Sequence, residues 1–332
     1  MKHTILGAGG SVGNALTHQL LKTNEDIRLV SRSNYSVFGT ESFMADLTSY
    51  EETLLAVKGS DIVYLCAGLP YDSKVWADLW PRIMKNSIDA CKSVNAKLIF
   101  FDNVYMYGKV SGKMVETTPF NPCTKKGEIR AKIVMMLEDE ITKKNINAII
   151  ARSADLYGPY ALKTSILYLL AIEKLLNGKK AQWLIDVNTL HSFTYTMDSA
   201  NGMILLSKCD ECYNQTWHLP TYNPLDGETL IHMIAKELGV PPDYQVLNKW
   251  MLKIFGIVNK TVSESYELLY QSEFNYYFDS TKFNRFFNYK PKPYFEGIHE
   301  TIEFLKESEL NRCNHHSINV YPEHGLANSL SI

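Results

Sequence analysis

The sequence predicts an α/β chain, a doubly wound parallel sheet joined to a smaller, mostly helical C-terminal lobe. Five short apolar runs, His3–Leu6, Ile27–Val30, Asp61–Cys66, Lys97–Phe101 and Ala148–Ala151, alternate with amphipathic stretches around Ala15–Lys22, Tyr50–Val57, Trp76–Lys92 and Ile129–Lys143. Strand–helix alternation of this kind makes consecutive strands parallel and places helices on both faces of the sheet. Ile62-Val63-Tyr64-Leu65 and Leu98-Ile99-Phe100-Phe101 are apolar at every position, as strands covered on both faces must be. Glycines crowd the end of the first run, where the next helix begins.

The bulk numbers set the class. At 332 residues the chain is long for one domain and short for three. With 45% hydrophobic residues it can bury a large core. A net charge of -2 and a pI near 6.5 argue against a nucleic-acid or membrane-surface partner. No apolar run approaches the roughly 18 residues that span a bilayer. The start, Met1-Lys2-His3-Thr4-Ile5-Leu6, runs into glycines without the apolar core of a signal peptide, so the expected location is cytoplasmic. The six cysteines are scattered. Cys209-Asp210-Glu211-Cys212 has no second pair to complete a zinc site, and thiols are expected there. No histidine pair has helical metal spacing with a carboxylate, so no metal is expected.

The second half is less regular. Leu162–Leu176 reads as a helix ended by Asn177-Gly178, Gln182–Ile185 as a strand, and Ser199–Ser207 and Thr229–Leu238 as helices, the latter stopped by Gly239. Trp217-His218-Leu219-Pro220 reads as a turn. The expected division is a nucleotide-binding domain over 1–160 and a substrate lobe over 161–310, from which Gln182–Ile185 and Ser199–Ser207 return to the Rossmann side. A polar tail over 311–332 follows.

Between the first strand and first helix, Gly7, Gly10 and Gly13 form Gly-x-x-Gly-x-x-Gly. In a Rossmann-type βα turn the first glycine permits the tight turn. The second lets backbone approach a pyrophosphate, and the third lets the helix pack closely on the sheet. Ser11 and Val12 complete the helix N-terminus, whose unpaired N–H groups and dipole favour an anion. After the second strand an NAD site would carry a carboxylate for the ribose 2′-hydroxyl. Here Leu29-Val30-Ser31-Arg32-Ser33 offers Arg32, suited to a 2′-phosphate, so the expected cofactor is NADP, with NAD the lesser choice.

Several segments, in order, resemble the extended short-chain dehydrogenase/reductase family, the NAD-dependent epimerase/dehydratase group. Ala45-Asp46-Leu47-Thr48 resembles the family's Asp-Leu beside adenine, and Cys66-Ala67-Gly68 the small-residue strand end along the cofactor. Val104-Tyr105-Met106-Tyr107-Gly108 resembles "VYG", and Arg152-Ser153-Ala154-Asp155-Leu156-Tyr157-Gly158-Pro159 resembles "R-x-x-N-x-YGP". Phe193–Asp198 resembles "F-x-H-V-x-D", and Asp279–Lys282 the late "D-x-x-K". The resemblance, which extends to about Leu305, implies cofactor-binding roles for Asp46, Leu47, Ala67 and Gly68, and a homodimer.

The catalytic segment departs from the family. Asn103 stands where a Ser or Thr is usual. In the Tyr-x-x-x-Lys pair, Lys126 replaces the Tyr and Arg130 the Lys. An i to i+4 spacing keeps both on one helix face. The resemblance then implies that Arg130 holds the nicotinamide ribose. Lys126 is a candidate acid/base if burial and the Arg130 charge depress its pKa. Tyr105 is the other acid/base candidate, a phenol activated by neighbouring cations. Asn103 is a candidate hydrogen-bond donor to a developing oxyanion. His191 is placed to touch a substrate.

Two functions follow. The first is an NAD(P)-dependent oxidoreductase or epimerase acting on a small carbonyl or hydroxyl compound, with sugars and sugar nucleotides among its candidate substrates. The second, prompted by the missing Tyr-Lys pair, is a non-catalytic NADP(H)-binding redox sensor or scaffold.

Overall fold

Residues that are β-branched or aromatic and apolar on both faces form the expected strands. The computed structural model describes residues 1–314. Seven strands, β1 (Lys2–Leu6), β2 (Asp26–Ser31), β3 (Glu41–Met44), β4 (Ile62–Leu65), β5 (Lys97–Asp102), β6 (Ala148–Arg152) and β7 (Gln215–His218), form one sheet in the order β7-β6-β5-β4-β1-β2-β3. All pairings within it are parallel.

The period of two divides each strand between two cores. Val63, Leu65, Leu98 and Phe100 face α2 (Tyr50–Val57), α3 (Ser73–Val94) and α4 (Lys125–Thr142). Ile62, Tyr64 and Ile99 face α1 (Ser11–Leu20) and α5 (Thr196–Ser207). Strand order reverses between β1 and β4, and the chain ends of the strands there open the crevice in which α/β proteins hold ligands. Side chains cap several helices: Asp72 accepts from the N–H groups of Lys74 and Val75 at the start of α3, and the Thr124 hydroxyl accepts from Gly127 N at the start of α4.

Some second-half expectations need correction. The expected return of Gln182–Ile185 to the Rossmann side does not occur. Ala181–Leu184 pairs with Tyr244–Leu247 in a separate two-stranded sheet, because Trp183 and Ala181 bury against α6 (Gly227–Leu238) and Phe193 within the lobe. The seventh strand is instead Gln215–His218, read from sequence as a turn. Its donors pair with β6 before Pro220 can interrupt them, and Trp217 and His218 are buried. Ser199–Ser207 does return, packing on α1 inside α5.

The helix expected from Leu162 begins at Ile166 and contains a π-turn at Tyr168–Ile172. Cys209 and Cys212, expected as thiols, are joined as a disulfide across a short turn. The final helix, Tyr294–Asn314, runs through the start of the expected polar tail, and residues 315–332 lie outside the described residues. Among the described residues no helix is long and apolar enough to cross a membrane.

Candidate functional site

The glycine turn is built by close backbone contact. Gly7 adopts φ +95°, and a Cβ there would lie 2.5 Å from Ala67 Cα. Only glycine lets β1 and β4 end this closely together. A Cβ on Gly13 would lie 2.8 Å from the Gly7 carbonyl oxygen, so the helix packs on the turn as the spacing demands. Gly10 differs: a Cβ would meet only the Gly7 oxygen, at 3.4 Å, and the space beyond is open. Gly9, which the triplet does not include, also needs glycine, at φ +88° beneath the Tyr35 ring.

The N–H groups of Ser11, Val12 and Gly13 lie in the first turn of α1 and have no intrahelical partner. The Val12 side chain is buried in the core, so its contribution is its N–H alone. The Ser11 hydroxyl bonds Thr164 at 2.8 Å, tying this turn to the second lobe. Asn14 Oδ1 is buried without a hydrogen-bond partner among the described residues. An open face over Gly10 and Gly68, three aligned donors and a positive helix end fit a dinucleotide pyrophosphate.

Arg32 follows β2, is exposed and forms no ion pair among the described residues. Its charge and that of Arg82 help hold the Asp46 carboxyl below the usual range, after the hydrogen bonds from Thr48 N and Oγ1. The Leu47 carbonyl is fixed from α3 by Asn86 Nδ2 at 3.0 Å. Arg32, Asp46, Leu47 and Arg82 therefore gather at one end of the crevice, with Ala67 and Gly68 along its wall.

The catalytic face is arranged differently from expectation. Lys126 is fully buried, and Nζ donates to Glu264 Oε2 at 2.7 Å, Glu267 Oε1 at 3.0 Å and the Glu264 carbonyl at 2.8 Å. Its three donors are all occupied by two carboxylates and a carbonyl, so none is left to reach a substrate. Arg130 is not beside it electrically. Arg130 Nε donates to Asp102 Oδ1 at 3.0 Å, with a second bond from Nη2, and the guanidinium lies over the Trp80 and Phe100 rings at 4.7 and 5.0 Å. Fixed beneath the strand end, it is not presented to a ribose.

Tyr105 also departs from expectation: its hydroxyl bonds the Tyr71 hydroxyl, and Trp76 stacks on its ring at 6.4 Å. Burial, then Tyr71 and Asp155, push its pKa well above the phenol value, so the expected activation by cations is absent. Asn103 is half-buried at the end of β5, with Oδ1 accepting from Tyr105 N at 3.1 Å. Its Nδ2 has no protein acceptor among the described residues.

Sequence reading missed a buried network. Asp102 accepts from Arg130 and, at 3.2 Å, from Arg152 Nε. Arg152 Nη1 donates to Tyr107 Oη at 2.7 Å. His218 Nδ1 lies 2.8 Å from the Asp279 carbonyl and must donate to it. Nε2 therefore accepts from the Tyr107 hydroxyl at 2.9 Å. Burial pushes the His218 pKa down to about 3. A second missed pair is Asp155 with His191, Nε2 to Oδ2 2.9 Å, and His191 stacks on Tyr276 at 4.5 Å. Asp155 stands where the family pattern has Asn. The motif held the signal for Asp155 and Arg152. Nothing local pointed to Glu264 and Glu267, which reach Lys126 from about 140 positions away along the chain. Among the described residues no three His, Cys, Asp or Glu side chains cluster as metal ligands.

With this geometry in view, the sequence model of the NAD dependent epimerase/dehydratase family matches residues 3–215. The human protein named sterol-4-alpha-carboxylate 3-dehydrogenase, decarboxylating, is 23% identical over 261 residues, 73% of this chain and 68% of its own length. Among solved structures, UDP-glucuronic acid 4-epimerase from Bacillus cereus, in complex with UDP-glucuronic acid and NAD, superposes with a TM-score of 0.77 at 17% identity. The match covers 93% of this chain and 100% of that one. The dTDP-glucose 4,6-dehydratase of Bacillus anthracis str. Ames, in complex with NAD, gives 0.77 at 16% identity, covering 93% and 98%.

Proposed function

The chain belongs to the NAD dependent epimerase/dehydratase family, and we propose that it is an NADP(H)-dependent reductase of a carbonyl compound whose acid lies outside the family's Tyr-Lys positions. The observation that carries this reading is the Tyr71–Tyr105 hydroxyl pair beside Asn103 at the end of β5. Burial raises both phenol pKa values, which keeps both protonated at neutral pH. With both protons kept, the pair can donate to a carbonyl oxygen and cannot act as a base, which suits reduction.

The Gly7–Gly13 turn would hold the pyrophosphate and Arg32 the 2′-phosphate. When bound, the nicotinamide supplies the hydride. Asn103 Nδ2 donates to the substrate carbonyl oxygen. The Tyr105 hydroxyl passes its proton to that oxygen as charge develops, the Tyr71 hydroxyl replaces it, and the partly exposed Tyr71 regains a proton from water. Lys126 and Arg130 act as positioning residues. Lys126 fastens residues 264–267 to the start of α4, and Arg130 fixes Asp102 at the end of β5.

The test follows NADPH absorbance with a panel of ketones and aldehydes. Tyr105→Phe should lower kcat by about 100-fold, the scale of general acid catalysis, with NADPH affinity unchanged. An unchanged kcat would remove Tyr105 from the mechanism. The immobilised Lys126 and Arg130 favour a second reading, a dinucleotide sensor without turnover. Tight NADPH binding with no consumption by any carbonyl compound would select it.

A further inference from the structure

The turn that follows Tyr105–Tyr107 frames a cavity beside the proposed site. Gly108 adopts φ +62°, and a Cβ there would run into the Asn121 carbonyl oxygen and lie 3.4 Å from Cys123 N. Only glycine lets residues 108–109 lie this closely against 121–123. Lys109 and Cys123 are neighbours as a result: the Lys109 N–H and the Lys109 charge both act on the Cys123 thiol, which is exposed. The cavity they line also takes in Lys249, Tyr266, Glu267, Leu269, Tyr270 and Glu273. It is open to solvent and holds about 310 Å³, at the lower end of small-molecule sites.

The charged groups of this lining are unequally committed. Glu267 turns both oxygens to the start of α4: Oε2 accepts from Lys125 N at 2.8 Å and Oε1 from Lys126 Nζ at 3.0 Å. Glu273 pairs with Lys249 Nζ at 2.8 Å. Lys109 forms no ion pair among the described residues. Its ammonium lies 5.4 Å from the centre of the Phe274 ring, which is half exposed. Both carboxylates are therefore matched, and one cation is left for a ligand. Tyr266 and Tyr270 add aromatic surface to the same cavity. Tyr270 also packs in the core cluster that contains Tyr105, so the cavity adjoins the proposed site without including its hydroxyl pair.

We infer that this cavity is a second ligand site, which takes a carboxylate carried on an aromatic body. Lys109 receives the carboxylate through a charge-assisted hydrogen bond, and the rings of Tyr266, Tyr270 and Phe274 receive the body. An uncharged ring of the same shape would bury the same apolar area and leave the ammonium of Lys109 to water, so the acid is preferred over its neutral analogue. The inference goes beyond the reductase reading and does not depend on it, because Asn103, Tyr71 and Tyr105 are not among the lining residues.

The test reads binding and not turnover. 2-Naphthoate and its uncharged analogue 2-naphthamide are titrated by calorimetry into protein carrying Cys313→Ser, with NADPH present to fill its own site. Cys66 and Cys91 are buried, which leaves Cys123 as the thiol to label. 2-Naphthoate should bind with a Kd below about 1 mM, and about tenfold more tightly than 2-naphthamide, the value of one charge-assisted hydrogen bond. Lys109→Gln should erase that difference, with Tm retained as the measure of folding. Saturating 2-naphthoate should protect Cys123 from alkylation by iodoacetamide, which locates the ligand in this cavity. Equal affinity for acid and amide would overturn the inference. So would no binding of 2-naphthoate in this range, a preference for the acid that survives Lys109→Gln, or a Cys123 that stays unprotected. None of these outcomes bears on the reductase reading, which NADPH consumption decides.

Discussion

The two ends of the crevice treat charge in opposite ways. At the glycine turn, the N–H groups in the first turn of α1 have no intrahelical partner, and the exposed guanidinium of Arg32 forms no ion pair among the described residues. At the start of α4, Lys126 and Arg130 point inward, each ion-paired and buried. One half keeps its electrostatics available for a ligand, and the other uses its charges to hold the fold together. The helix face at the positions of the family's catalytic pattern is here a structural clasp, beside a glycine turn whose N–H groups are left open.

This contrast predicts that substitutions in the second half act on stability and those in the first act on binding. The largest effect should come from Asp102→Ala. It strands two buried guanidinium groups, and breaking a buried pair from one side costs about 3–5 kcal/mol. Urea unfolding would measure it, and a loss confined to cofactor binding would break the comparison.

Acid should come next. His218 is neutral when folded, with its pKa lowered from 6.5 to about 3. The unfolded chain therefore binds more protons between these values, so stability is full above pH 6.5 and falls as pH drops toward 3. Between pH 6.5 and 5 the loss should be roughly 2 kcal/mol from this group. His218→Gln should flatten that part of the stability–pH curve, and a curve unchanged in slope would move the proton uptake elsewhere.

Gly7→Ala should destabilise by about 1–3 kcal/mol, the scale of a strained left-handed residue, and should weaken NADPH binding more than thermal stability. The smallest effect should be Arg32→Gln. It should lower NADPH affinity on the order of tenfold, the value of one charge-assisted hydrogen bond, while leaving NADH affinity and Tm unchanged. Equal losses for both cofactors would remove Arg32 from the 2′-phosphate.

The sequence by itself determined the parallel sheet, because short runs apolar on both faces alternate with amphipathic helices. It also determined the cradle, because Gly7, Gly10 and Gly13 act through their own backbone and near neighbours. It located Lys126 and Arg130 and the spacing that puts them on one helix. What they face was decided only in three dimensions. Glu264 and Glu267 come from the far lobe, and Asp102 comes from a strand end, just past an apolar run. Trp183 likewise chose its partner strand by burial inside the lobe, and His218 became the end of a seventh strand through pairing with β6. Local pattern is set by neighbours a few residues apart. The charge state, exposure and hydrogen-bond partner of a buried side chain are set by groups a hundred or more residues away, which only the packed chain brings within bonding distance.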